Sequence, residues 1–363
     1  MWDTIEKLEY RVRANLPGAK EELETRMTDR LELPLPGLRG EKLYLTGITQ
    51  LRSKATELEI LYQQLPEHRG VRDNILLDAW SSATIEGART TVAKVRQSFD
   101  DPKSKDDRMV INTVTASNYA YRYPITLKNI RRLWNRVVDG VCENEAQKGK
   151  LYREGMVYIG SGSRIVHTPA APEELPELME LLFAFRVGEG DPVIRSFAAH
   201  FYFVYIHPFC DGNGRTARIL NASQLYHGGY KKMKNLPLSK AINDQLGSYY
   251  SSLTDSEKAL DQDSGKWLDI SPFVSYMLDA FERCLIDAVL SENELTPDES
   301  KVLERMNKVG LHAEITVAKA AKILDRSEKA TRRVLNSLAQ KGYLTVDTAH
   351  TRHIYKLHQH MPR

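Results

Sequence analysis

The chain has 363 residues, 42% of them hydrophobic and 27% charged, with a formal net charge of +3. That length exceeds one ordinary core and calls for two or three domains, and the balanced composition excludes a disordered or fibrous chain. Three scattered cysteines (Cys142, Cys210, Cys284) have neither metal-ligand nor disulfide-framework spacing, no stretch approaches the ~18 apolar residues of a membrane span, and the Met-Trp-Asp start lacks a signal pattern, so a soluble cytoplasmic protein with no membrane partner is expected.

Residues 1–30 are charged and helix-prone, and stop at the joint Leu33-Pro34-Leu35-Pro36-Gly37, which its prolines keep extended. Helical patterning resumes over 46–65, and again from Val71, where Ile75, Leu76, Ala79 and Trp80 share one side. That segment ends in Ser81-Ser82-Ala83-Thr84-Ile85-Glu86-Gly87. Ser82 and Glu86 stand four apart and Gly87 can end a helix, so Glu86 projects from a terminal turn. After a polar loop between Ser98 and Arg108, helical character returns from Met109 through Tyr119. Residues 125–138 are strongly periodic in Leu127, Ile130, Leu133, Trp134 and Val137.

From 153 to 167 the pattern changes. Met156-Val157-Tyr158-Ile159, Gly160-Ser161-Gly162-Ser163 and Arg164-Ile165-Val166-His167 read as a β-hairpin, whose edge can take up an extended peptide as a further strand. Helix returns over 173–185. Beyond Pro192, the residues Ile194, Phe197, Ala198, Phe201 and Tyr205 recur on one helical face, and His200 reads as a core histidine there.

That helix leads into His207-Pro208-Phe209-Cys210-Asp211-Gly212-Asn213-Gly214-Arg215-Thr216-Ala217-Arg218. Gly212 and Gly214 allow backbone conformations in which peptide N–H groups turn toward an anion. The run after them, with Ile219, Leu220 and Leu225 in helical order, would present unpaired N–H groups and a positive dipole end. Asn213 could donate an amide hydrogen bond, and Arg215 and Arg218 lie three apart on one face. Asp211 is the only carboxylate here, and beside phosphates its natural partner is Mg²⁺. His207 alone has an ordinary pKa that lets it accept a proton near neutrality.

The stretch resembles the signature of Fic proteins, HPFx[D/E]GNGRxxR, with every specified position filled. Fic enzymes typically transfer AMP from ATP to a protein hydroxyl. The resemblance implies that His207 deprotonates the acceptor and that Asp211 holds Mg²⁺ between the α- and β-phosphates. It further implies that Gly212, Asn213 and Gly214 cradle the phosphates, that Arg215 and Arg218 bind the β- and γ-phosphates, and that Phe209 anchors the loop. Ser82, Glu86 and Gly87 similarly match the family's inhibitory motif [S/T]xxxE[G/N], at the position of the class with an N-terminal inhibitory helix. In that class the glutamate pairs with the second arginine of the signature, here Arg218. The hairpin around Val157, Tyr158, Ile159 and Gly160 resembles the family's target-docking flap.

His227-Gly228-Gly229 breaks the signature helix. Residues 243–253 follow with Tyr249 and Tyr250, which resemble the family's aromatic pair near the nucleotide base and read equally well as core. Residues 267–289 read as the last helix of this part. From Ser291 the composition changes: a helix over 297–308, a segment over 315–324, a second helix over 327–340 ended by Lys341-Gly342, and a hairpin of Tyr343-Leu344-Thr345-Val346 with His353-Ile354-Tyr355-Lys356-Leu357. Three short helices and a terminal hairpin resemble a winged helix. Lys329, Arg332 and Arg333 on its recognition helix, with Arg352 on the wing, suit phosphates, and a protein-docking or dimerisation module is the alternative.

The expected fold is mainly α, a Fic-type helical bundle with a β-hairpin flap, plus a small C-terminal winged-helix (α+β) domain. The expected division is 1–108 carrying the inhibitory motif, 109–290 as catalytic core and 291–363 as winged helix. The expected function is a protein adenylyltransferase using ATP and Mg²⁺, acting on a Tyr, Ser or Thr hydroxyl of a target protein and on itself. Removal of AMP at the same site and a DNA-binding regulator that senses nucleotide are the alternatives. A DNA or protein partner for the winged helix and a homo-oligomer are both compatible with the sequence.

Overall fold

The computed structural model describes residues 2–65, 71–142, 150–161, 164–262, 265–293, 295–309, 313–341, 343–347 and 354–357. It divides into two compact units, 1–286 and 287–363. It is mainly helical, at 63% helix, as the sequence pattern predicts. The expected boundary near 108 does not separate compact units, because helices on both sides of it pack into one core.

Unit one opens with α1 (Ile5–Arg13) and α2 (Ala19–Thr28), then strands β1 (Arg30–Pro36) and β2 (Lys42–Thr46). Helices α3 (Ile48–Gln63), α4 (Val71–Ile85), α5 (Val92–Gln97), α6 (Lys105–Arg122) and α7 (Ile130–Val138) follow. The hairpin β3 (Ile159–Ser161) and β4 (Arg164–His167) precedes α8 (Leu175–Arg186), α9 (Pro192–Ile206) and α10 (Asn213–His227). The unit continues through α11 (Leu238–Asn243), α12 (Leu246–Ser256), β5 (Ala259–Gln262), β6 (Gly265–Asp269) and α13 (Ser271–Asn293), within which the division between units falls.

The bundle centres on α9 and α10. Asp191 caps α9 by accepting from the N–H groups of Val193 and Ile194, and Pro192 takes the first turn, where its missing N–H costs nothing. Phe197, Phe201, Tyr202, Phe203 and Ile206 are all buried, so α9 is apolar nearly all round and runs through the core. α10 packs on α9, α6, α7 and α4, and α4 packs on α6, α10 and α11.

The extended joint and residues 267–269 both take places in one sheet. The Pro-rich joint is strand β1, paired antiparallel with β2 and carrying an irregularity between Leu33 and Pro36. β1 lies at the edge of a four-stranded sheet of order β1-β2-β6-β5, where prolines are tolerated because no ladder hydrogen bond is lost on the outer side. Residues 267–269, read as the start of a helix, belong to β6, which pairs with β5 antiparallel and with β2 parallel, and α13 starts only at Ser271. Trp267 and Leu268 are both buried, so β6 lacks the alternation that marks a half-buried strand. The sheet is pinned by a buried ion pair of Arg26 with Asp269 at 2.9 Å, both bonded to the Thr46 hydroxyl.

Unit two contains α14 (Pro297–Asn307), β7 (Glu314–Thr316), α15 (Val317–Leu324), α16 (Glu328–Gln340), β8 (Leu344–Asp347) and β9 (Ile354–Leu357). Its sheet is antiparallel in the order β7-β9-β8, so the segment read as 315–324 begins as a strand before turning into α15. Thr296 and Glu299 form a reciprocal cap on α14, and Ser327 caps α16. Val302, Leu303, Ile315, Leu335, Leu338 and Tyr355 form a separate core. Arg352, His353 and Gly342 lie outside the described residues.

Candidate functional site

The site is built where α9 ends. Pro208 disfavours helix in the residue before it, and His207 ends α9 in the left-handed region, at φ 51°. Its N–H still donates to the Phe203 carbonyl at 3.1 Å. The following loop is held from within. Phe209 is buried and stacks on Trp134 with ring centroids 4.8 Å apart, and the Trp134 indole N–H donates to the Asp211 carbonyl at 2.8 Å. The Asn213 side chain accepts from the Phe209 N–H at 2.9 Å and donates to the Phe209 carbonyl at 2.7 Å. The amide therefore braces the loop with its oxygen and one of its two N–H groups.

Gly212 has φ 73°, and a Cβ there would stand 2.9 Å from the Val138 side chain, so the turn into α10 excludes other residues twice over. The first N–H groups of α10, at Asn213, Gly214 and Arg215, lack intrahelical acceptors and mark an anion seat. Arg215 is buried, donating from Nη1 to the Val137 carbonyl at 3.0 Å and lying 3.5 Å from Asp211 Oδ1. Arg218 is buried as well. It donates to Ser82 Oγ at 2.8 Å, to the Ser82 carbonyl at 2.9 Å and to Glu86 Oε1 at 2.7 Å.

Glu86 reaches this point because α4 stops one residue before it. The Ala88 N–H bonds back to the Ala83 carbonyl and the Gly87 N–H to the Thr84 carbonyl, which closes the helix end and turns Glu86 out over α10. Its carboxylate sits so close to the anion seat that a Cβ on Gly214 would lie on top of Oε1. Ser82 and Glu86 thus meet Arg218 across 136 and 132 residues of chain, and Gly87 closes the helix end that presents Glu86.

Charge follows geometry. Burial pushes the His207 imidazole down to about 4, against weaker support from the Val204 backbone and Glu86, so it is neutral at physiological pH. Burial pushes the Glu86 carboxyl up, but Arg218, with Arg215 behind it, outweighs that and holds it below the usual carboxylate range. Burial likewise acts to lower the Arg218 guanidinium, and Glu86 reverses it. Asp211 is 39% exposed at its side chain, at the mouth of the seat. Among the described residues no three His, Cys, Asp or Glu side chains cluster to hold a metal. A single outward carboxylate can hold Mg²⁺ only where a bound phosphate supplies further oxygen ligands.

The segment entering the hairpin is tied to the loop after α9, the Arg153 N–H donating to the Pro208 carbonyl at 3.0 Å. Ile159 and Gly160 lie in β3, whereas Val157 and Tyr158 precede it, and Gly162 and Ser163 lie outside the described residues. Tyr158 is 60% and Ile165 56% exposed, an apolar pair facing solvent. His167 fastens the outgoing end, with Nε2 2.7 Å from the Tyr205 carbonyl and Nδ1 2.7 Å from Glu257. Of the two tyrosines, Tyr249 is buried among Tyr250, Phe273 and Tyr276 and bonded to His200 at 3.1 Å. Tyr250 is 47% exposed and donates to the Ile85 carbonyl at 3.3 Å, so it alone offers a ring face. His200 is a buried core histidine.

Sequence reasoning passed over two residues of the site. In the sequence Trp134 reads only as part of a periodic helix. Arg153 is buried and donates to the carbonyls of His207 and Gly155 at 2.8 and 2.9 Å. Neither has a local signal, since each acts on backbone brought in from elsewhere.

Residues 124–225 match the Fic/DOC family. The chain is 31% identical over 224 residues to "Protein adenylyltransferase Fic" of Drosophila virilis, covering 57% of this chain and 41% of that protein. With the protein of the same name from Drosophila erecta it shares 28% over 257 residues, covering 66% and 47%. The chain thus spans less than half the length of these curated relatives. Among solved structures, a Fic family protein from Desulfovibrio desulfuricans G20 superposes with a TM-score of 0.57 at 22% identity, covering 87% of this chain and 97% of that one. Fic-1 from C. elegans (residues 134–508) gives 0.51 at 21%, covering 67% and 73%.

Proposed function

From a chain whose residues 124–225 are a Fic domain, we propose a protein adenylyltransferase that moves AMP from ATP to a Tyr, Ser or Thr hydroxyl of a target protein and is held idle by Glu86. The observation that carries this is the convergence of a neutral His207, an outward Asp211 and two buried arginines on the open N-terminus of α10. The target segment lies along the β3–β4 hairpin, which positions its hydroxyl. His207 takes the hydroxyl proton, the oxygen attacks Pα, and the Pα–O bond to pyrophosphate breaks. The α10 N–H groups and Arg215 hold the negative charge of the phosphates. Mg²⁺ on Asp211 would neutralise charge on the α- and β-phosphates. Glu86 occupies Arg218, the group meant for the terminal phosphates, so ATP binds out of line until the contact opens.

The test is transfer of label from α-³²P-ATP with Mg²⁺ by wild type, Glu86→Gly, and Glu86→Gly with His207→Ala. Label on the protein itself in Glu86→Gly alone supports the reading; equal label with and without His207 sinks it. AMP removal is a second reading, favoured by the ionised Glu86 carboxylate beside His207, which could align an attacking water. Release of AMP from a pre-modified target by wild type, lost in Glu86→Gly, would establish it. The exposed Lys329, Arg332 and Arg333 of α16 support a winged-helix partner, duplex DNA first, with a salt-dependent gel shift as the check. No helix among the described residues is long and apolar enough to cross a membrane, and none of the three cysteines is in a disulfide, which fits a reducing cytoplasm.

A further inference from the structure

Arg153 is a cation inside the protein, 3% exposed, whose bonds all run to backbone carbonyls. Its Nε donates to the His207 carbonyl at 2.8 Å, its Nη1 to Gly155 at 2.9 Å, and its Nη2 to Ile206 at 3.4 Å and, more closely, to Ala170. Its own backbone N–H donates to the Pro208 carbonyl at 3.0 Å. One residue thereby grips three successive carbonyls, those of residues 206, 207 and 208. These belong to the peptide planes on either side of His207 and the one beyond.

Two peptide planes fix the φ and ψ of the residue between them. His207 sits at φ 51°, ψ 62°, in a region that costs a residue with a Cβ roughly 1–2 kcal/mol. Such a conformation persists only where the surroundings over-determine it. The direction in which the His207 ring leaves the backbone depends on holding it. The remaining two acceptors have a different address: Gly155 lies before the β3–β4 hairpin and Ala170 after it. The planar guanidinium, with donors in a fixed fork, can serve all these acceptors at once, whereas an ammonium on a flexible stem cannot.

Building on the proposed transfer reaction, we propose that Arg153 is a positioning residue that aims the His207 imidazole and ties that aim to the seating of the flap. Its guanidinium is committed to the carbonyls of His207, Ile206, Gly155 and Ala170, so its loss should leave ATP binding intact while the proton-accepting nitrogen swings off line. A misplacement of about 1 Å at a reacting group costs on the order of 100-fold in rate.

The decisive variant is Arg153→Lys in the Glu86→Gly background, which keeps the charge and loses the fork. The expected result is a kcat lower by about 10–100-fold, an unchanged KM for ATP and an unchanged ATP-induced thermal shift. In Arg153→Ala, added guanidinium should restore part of the rate and urea, of similar shape but neutral, less. A kcat within twofold of the parent overturns the proposal, as does a loss that falls wholly on ATP affinity. Loss of cooperative unfolding in both variants would also overturn it, in favour of a purely structural role. One readout needs no transfer activity. The His207 ring signal in proton NMR, identified by its absence in His207→Ala, should titrate at higher pH in Arg153→Gln, because a nearby cation has gone. If the parent transfers no AMP yet this shift is seen, the reaction assigned to the site fails and the role of Arg153 stands; an unmoved signal removes the role of Arg153.

Discussion

Replacing Glu86 with Gly should weaken the empty protein and strengthen its hold on ATP, and the two effects can be sized. Glu86 Oε1 lies 2.7 Å from an Arg218 that is almost wholly buried. Stripping a partner from a fully buried ion pair costs about 3–5 kcal/mol, but the Glu86 side chain is 31% exposed and Arg218 keeps both bonds to Ser82. With that screening the loss is about 1–2 kcal/mol, so for a unit of this size Tm should drop by roughly 2–8 °C. In return, an Arg218 released to a phosphate gains a charge-assisted hydrogen bond worth about 1.5–3 kcal/mol, or roughly 10–150-fold in affinity. At saturating ATP a 100-fold gain returns about 2.7 kcal/mol of stability. Melting curves should therefore cross: the variant lower when empty, equal to or above wild type with ATP. AMP, which lacks the phosphates that would reach Arg218, should shift both proteins equally. The stability gap should also close in acid. The folded carboxyl is held below its unfolded pKa, so the contribution is present above the ordinary carboxylate range and lost as pH falls through the folded value. Identical empty melting points together with identical ATP shifts would refute the reasoning.

Other outcomes follow from the same geometry. Gly214→Ala should push the Glu86 carboxylate aside, giving the lowered melting point of Glu86→Gly without its gain in ATP affinity, because the new methyl fills the seat; calorimetry with ATP separates the two. Asn213→Ala removes both bonds that close the loop on Phe209, and should cost about 1–3 kcal/mol in chemical denaturation by leaving buried backbone groups unpaired. His207 and His200 are held neutral by burial, with pKa values near 4 and 3, below the unfolded value. Their contribution is complete above about pH 6.5 and shrinks as pH falls toward those values, by about 1.4 kcal/mol per pH unit for each histidine. Burial raises the Asp78 carboxyl to about 6, which opposes this trend over the same range, so His200→Gln should lower the slope by about 1.4 kcal/mol per pH unit in urea titrations between pH 6 and 4.5.

Much of the site is readable because its parts are contiguous. The run from His207 to Arg218 holds base, carboxylate, turn glycines and arginines within twelve residues. Glu86 is readable for a related reason, a helix end marked by a glycine. What escapes reading depends on the third dimension. Trp267 and Leu268 are buried on both faces of a central strand, and a short apolar run without alternation is as good a helix as a strand. Arg153 escapes because its acceptors are carbonyls, which every residue has. Asn213 looks like a donor for a ligand, and only the fold shows its amide turned back on Phe209. The buried Tyr249 and exposed Tyr250 are neighbours in sequence, and which ring faces outward depends on how α12 meets α13.

The register of β2 on β6 bears on how the chain assembles as it is made. Thr46 and Ser271, which bond across this junction, are 225 residues apart. At about 5–20 residues per second of synthesis, the β1–β2 ribbon waits roughly 10–45 s for its partner strand. In that interval β2 offers an open edge, and Arg26 has yet to meet Asp269. The 207–218 loop emerges before the sheet closes, so the last step of folding joins the beginning of this unit to its end. Cutting the chain near residue 108 to isolate the downstream helices would leave the converse defect, with β6 unpaired along one side and Asp269 without its cation.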